Sequence, residues 1–62
     1  MIIFEARREQ LAALFTDAPP PPVDSIVRIN GKGWRVWHME WDVNRGKPSP
    51  EDYVCTVQVK PL

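Results

Sequence analysis

Cys55 and His38 are the chain's single cysteine and single histidine, and they make up the one nucleophile-and-base pair that the sequence offers. An imidazole-activated thiolate can open a covalent pathway, but only with the two groups in hydrogen-bond reach and a third group orienting the base. Cys55 stands in the run 53–60, YVCTVQVK, in a row shared with Val57 and Val59. A thiol in a valine row behaves as a small buried hydrophobe. His38 sits in mid-strand in an aromatic-rich run and reads as a structural or surface residue. Asp24, Glu40 and Asp42 lack a metal-ligand spacing, and one Cys with one His cannot complete a four-ligand zinc site. The glycines of NGKG, residues 30–33, fit a hairpin turn rather than a phosphate cradle. The expectation is a protein that is not an enzyme, with no catalytic residue, no metal and no cofactor.

The stretch 31–42, GKGWRVWHMEWD, carries Trp34, Trp37 and Trp41. Aromatic and arginine side chains dominate the energetics of protein interfaces. Trp34, Arg35, Arg28, Lys32 and His38 form the expected contact patch. The leading functional expectation is a small protein-binding module that occupies a surface of a cytosolic partner. Regulators, inhibitors and adaptors encoded by phages and mobile elements are of this kind. Trp34, Arg35, Arg28 and Lys32, with Trp37, Arg45 and Lys47 nearby, suit a nucleic-acid-binding small β-barrel, in which aromatic platforms and basic rims hold single strands. A structural subunit of a larger assembly, such as a virion, is the third expectation.

Charge does not choose among these. Eight Lys and Arg balance eight Asp and Glu, so neither a strongly basic nor a strongly acidic partner surface follows from composition. The split along the chain is flat: residues 1–23 carry net −1 and residues 24–62 net +1.

The elements that must position these residues fit one domain, 1–62. A chain of this length buries only roughly 60% of the surface its unfolded form exposes. Without a disulfide or metal, a partner subunit becomes a natural source of stability, so homo-oligomerisation is expected. A lone thiol suits a reducing cytoplasm, and no run approaches the ~20 apolar residues of a membrane span.

Residues 1–5 read as a short strand, rich in Ile and Phe. Residues 7–16 read as a helix: Leu11, Leu14 and Phe15 fall at i, i+3 and i+4, and Ala12 and Ala13 are strong helix formers. Pro19, Pro20, Pro21 and Pro22 end that helix and form a stiff connector over 18–23. Three antiparallel strands follow at 25–30, 34–43 and 53–60, with a single helical turn read at Ser49-Pro50-Glu51-Asp52. The fold class is therefore α+β: a 1–17 strand–helix segment, a proline connector and a 24–62 antiparallel sheet that can bend into a small partial barrel. Residues 24–60 are loosely similar to small Src-homology-type barrels, without a motif that carries a functional residue across.

Strand alternation puts Trp37, Met39 and Trp41 on one face, and Trp34, Val36, His38 and Glu40 on the other. A two- or four-residue turn sets Val27 and Ile29 beside Val36 and Trp34; a three-residue turn with a bulge sets them beside Trp37 and Met39. The expected core joins Cys55, Val57 and Val59 to Trp37, Met39 and Trp41, leaving Trp34 partly exposed.

Overall fold

A computed structural model describes residues 1–43 and 53–62. Five strands order the described chain: β1 (Ile2–Ala6), β2 (Glu9–Leu14), β3 (Ile26–Ile29), β4 (Lys32–Val43) and β5 (Tyr53–Pro61). They form one curled, mixed sheet in the order β2-β1-β5-β4-β3, a half-barrel. The pairings β1–β2, β4–β5 and β3–β4 are antiparallel, and β1–β5 is parallel. The proposed helical turn at 49–52 lies outside the described residues.

This all-β sheet overturns the α+β expectation. The segment expected to form the 7–16 helix is instead a hairpin turn at Arg7-Arg8 followed by β2. The physical reason is that a helix of about ten residues without an N-cap is marginal by itself. The neighbouring β1 offers a full ladder of backbone partners, and such tertiary context overrides propensity. The expected three-stranded antiparallel sheet likewise becomes five-stranded and mixed, because β1 docks parallel to β5 and carries β2 with it.

The core is a set of aligned cross-strand rows. Ile2 pairs with Cys55 and Phe4 with Val57 across the parallel ladder. Val36 pairs with Val59, Met39 with Val57 and Trp41 with Cys55 across β4–β5. Ile2, Phe4, Ala6, Val36, Cys55, Val57 and Val59 are buried, and Leu11, Ala12, Val27, Ile29, Trp34 and Met39 pack against them. The terminal ammonium of Met1 donates to the Tyr53 carbonyl at 3.0 Å, and the Cys55 N–H donates to the Met1 carbonyl at 2.9 Å, so the parallel ladder is held from its first residue.

A bulge corrects the expected strand faces. The β4–β5 register shifts between Val36 and His38, which leaves Trp37 as the extra residue. On the core face, β4 therefore presents Trp34 and Val36 before the bulge and Met39 and Trp41 after it. Trp37 is displaced to the opposite, outer face, where it lies 5.5 Å from the His38 ring. The expected exposure of the tryptophans is accordingly reversed: Trp34 is half-buried, while Trp37 and Trp41 are 47% and 55% exposed. The β3–β4 turn has two residues, Asn30 and Gly31, both with positive φ (51° and 82°), the conformation an Asn-Gly hairpin supplies readily. It pairs Ile29 with Lys32 and Val27 with Trp34, two residues along β4 from the pairing anticipated for a short turn and on the same face.

The proline run has a topological task. β2 and β3 are opposite edges of the sheet, so residues 15–25 must travel the sheet's width, roughly four strand spacings of ~4.8 Å. Four prolines in extended form span roughly 12 Å at ~3.1 Å each without an internal hydrogen bond. Thr16, Asp17 and Ala18 pass beside Met1, Ile2, Trp41 and Tyr53. The strap is fastened at its far end, where the Asp24 N–H donates to the Val36 carbonyl (2.8 Å) and the Val36 N–H to the Ser25 carbonyl (2.9 Å).

Phe4→Ala removes a side chain only 5% exposed at the centre of these rows and should cost about 3–5 kcal/mol. At roughly 0.05–0.15 kcal/mol per residue the whole domain has little more than that to lose. Urea titration followed by far-UV dichroism should find this variant largely unfolded in buffer. Trp41→Ala, at a half-exposed position of the same face, should lower the midpoint only slightly.

Candidate basic and aromatic groove

The fold gathers charge that the sequence spreads out. Arg7 and Arg8 form the β1–β2 turn, Lys60 lies near the end of β5, Lys32 and Arg35 open β4, and Arg28 is in β3. These chain positions meet at one end of the sheet, because Lys60 is paired with Arg35, Arg35 with Ile26 and Arg28 with Gly33. All six described Lys and Arg side chains thus share one end. The carboxylates near them are Glu5, Glu9 and Glu40. Glu5 accepts from the Gln58 amide at 3.1 Å, and Glu40 contacts the His38 ring at 3.0 Å. Among the described residues, none of the six cations forms an ion pair with a described carboxylate.

An open groove of about 1030 Å³ runs around this end, with Arg7, Arg8, Lys32 and Lys60 on its walls beside Trp34 and Trp37. Two tryptophans from opposite sheet faces reach one groove because the bulge at Trp37 throws that ring outward while Trp34 stays on the core face. Each carries an ammonium group: Lys32 Nζ is 4.5 Å from the Trp34 ring centre and Lys60 Nζ 4.8 Å from that of Trp37. A flat π-face with a cation beside it can stack a ring and neutralise a phosphate together.

The structure divides the expected contact patch. Trp34 and Lys32 lie on the core side of β4, whereas Arg28, Arg35 and His38 lie on the outer side. Arg7, Arg8 and Lys60 are further members that the sequence reading missed, and Trp37, named there only for the nucleic-acid alternative, joins them. Arg7 and Arg8 went unseen because that segment reads as helical. The one sequence signal for them was the adjacent arginine pair itself. Arg45 and Lys47 lie outside the described residues.

Catalytic pairing of Cys55 and His38 finds no geometric support. Cys55 is buried on the core face, and His38 is exposed on the outer face against Glu40. Desolvation by burial raises the Cys55 pKa, with the nearby N-terminal ammonium opposing it. Among the described residues, no three His, Cys, Asp or Glu side chains converge to hold a metal, and no helix is long and apolar enough to cross a membrane.

The Arg7-Arg8 turn is strained. Both residues have positive φ, 51° and 67°, a region that costs a side-chain-bearing residue about 1 kcal/mol or more. Asn and Gly occupy such a two-residue turn far more easily, as Asn30-Gly31 does in the other hairpin.

Comparison with known proteins gives no match to any family model, curated protein or solved structure.

Two expected outcomes test this description. The double variant Arg7→Asn/Arg8→Gly should raise stability by about 1–2 kcal/mol in urea unfolding, through relief of the turn. Cys55 should resist a thiol reagent such as DTNB in buffer and react promptly in denaturant. A folded pKa above the unfolded one means that the folded state holds its proton longer. That contribution to stability is therefore complete below the ordinary thiol pKa of about 8.5 and is lost as pH rises through the raised folded value.

Proposed function

We propose that this protein is a non-enzymatic binding module and that its ligand is a single-stranded nucleic acid held along the basic, tryptophan-bearing end of the half-barrel. One observation carries the reading: a chain of zero net charge has all six described cations at one end, four of them (Arg7, Arg8, Lys32 and Lys60) lining a groove that also holds Trp34 and Trp37. Backbone phosphates would meet Arg7, Arg8, Lys32 and Lys60, and bases would stack on the two indoles once the lysines shift to the phosphates. Glu5 and Glu40 are engaged by Gln58 and His38, which lessens their repulsion of an anionic strand. The groove is open on one side, which suits an extended chain better than a compact small molecule. The lone thiol suits a cytoplasmic location, where it would remain reduced.

The test is a tryptophan-fluorescence titration with an oligothymidylate of about twenty nucleotides, a duplex of equal length and polyglutamate, over a range of salt. Binding to the single strand should quench the emission. It should weaken with salt at a log–log slope of about −0.7 for each phosphate engaged. Trp37→Ala should reduce affinity about tenfold, and Arg7→Asn/Arg8→Gly should flatten the salt slope by about 1.4 while leaving the fold more stable. Absence of binding at low salt would overturn the reading. Equal binding of polyglutamate would instead point to an acidic protein partner.

A further inference from the structure

We infer that a second copy of this chain pairs with the free edge of β2, antiparallel and about a two-fold axis at Ala13. The two edges of the sheet differ. β3 is four residues long, carries Arg28, and is preceded by the Asp24–Ser25 turn that is tied to Val36. β2 is longer, and from residue 11 to residue 15 it reads LAALF, with no charge, proline or glycine. Edges are ordinarily protected by just those residues. Leu14 at its end is 49% exposed and the following Phe15 is 88% exposed.

The register follows from the side-chain faces. Leu14 and Ala12 oppose Ile2 and Phe4 and so belong to the core face, while Ala13 opposes Ile3 on the outer face. Opposed residues in an antiparallel pair must share a face. Any two-fold centred on a residue meets that condition; the one at Ala13 is singled out because residue 13 is the middle of the uncharged run 11–15, and it sets Ala12 against Leu14 of the second copy and Ala13 against itself. Leu14 then continues the core row Leu14–Ile2–Cys55–Trp41 into the second molecule. Leu11, the residue skipped by the bulge in β2, packs on the core of its own subunit, and Phe15, one residue beyond β2, lies at the margin of the ladder. Glu9 is the only charged residue of β2 and falls outside the 11–15 ladder.

The occupant is a second copy rather than a head-to-tail neighbour. Pairing β2 with β3 of the next molecule would be a heterologous contact, which stops only if its rotation happens to close a ring and otherwise builds a filament. Two β2 edges close on each other and leave only the short, charged β3 edges outside. A chain of 62 residues without a disulfide gains from such a subunit.

Sedimentation equilibrium of the full chain, free of nucleic acid and in about 0.5 M salt, is the test. A reversible dimer of twice 7.2 kDa is expected in the micromolar range. Ala13→Lys places two ammonium groups at the axis and should yield a monomer with unchanged dichroism. Should that variant fail to fold, Phe15→Ser serves in its place, with dimer affinity lowered at least tenfold. Ala13→Cys should cross-link to itself under mild oxidation, with the buried Cys55 uninvolved, whereas Glu9→Cys should not. A wild-type chain that stays monomeric, or a dimer indifferent to both Ala13→Lys and Phe15→Ser, overturns the inference.

Discussion

The parallel ladder between β1 and β5 is the constraint on which the rest of the structure depends. It joins the two ends of the chain, with Ile2 on Cys55 and Phe4 on Val57. Parallel neighbours cannot be joined by a tight turn, so everything between them must be accommodated elsewhere. β2 folds back outside β1, the proline strap carries the chain across to the far edge, and β3 and β4 return to meet β5 from its other side. The ladder also supplies the core's middle layer, where Val57 is fully buried between Phe4 and Met39. Such pairing between distant segments must meet the entropy of a long loop before it gains any contact. A protein built this way should fold slowly for its size.

How much of this was legible in the sequence depended on whether a strand kept its period. β1, β3 and β5 alternate regularly or are rich in β-branched residues, and each was readable as a strand from its own residues. β2 and β4 each contain a bulge, and each showed helical spacing. Inserting one residue into an alternation turns a step of two into a step of three. The core face of β4 runs 34, 36, 39, 41, and Trp34, Trp37 and Trp41 then fall three and four apart although no helix is present. In β2 the same effect set Leu11 and Leu14 at i and i+3. In β4 the Asn-Gly turn beforehand was enough to keep the strand reading, but β2 had Arg-Arg in place of such a signal and two alanines in favour of a helix. The candidate groove was hidden for the same reason. Trp37 reaches it only through the bulge, and Arg7 and Arg8 reach it only through a hairpin that the spacing disguised.

Composition hid the charge pattern in a different way. Counting along the chain averages over strands that run in opposite directions. Here the ends of β1, β3 and β5 and the start of β4 all arrive at one end, and each brings its cations there. Asp17 follows β2 and Asp42 closes β4, so these carboxylates lie toward the opposite end. Among the described residues, the result is a Lys and Arg cluster at one end of a chain whose formal net charge is zero. A net charge of zero therefore says nothing about the field at a particular surface, which decides encounter with a charged ligand.

The strained turn ties this field to the fold. Arg7 and Arg8 hold positive φ where Asn and Gly would do so more easily, and the neighbouring hairpin shows that the chain has that solution at hand. Backbone strain persists where the surroundings enforce it, and it gathers where side chains have a task that easier residues cannot perform. At the tip of a two-residue hairpin neither arginine can retreat into the sheet, so both side chains start from the groove's rim. Edge pairing through β2 is compatible with this arrangement. The two-fold at Ala13 runs the paired strands in opposite directions, so the Arg7-Arg8 turns of the two copies point to opposite ends of the joined sheet.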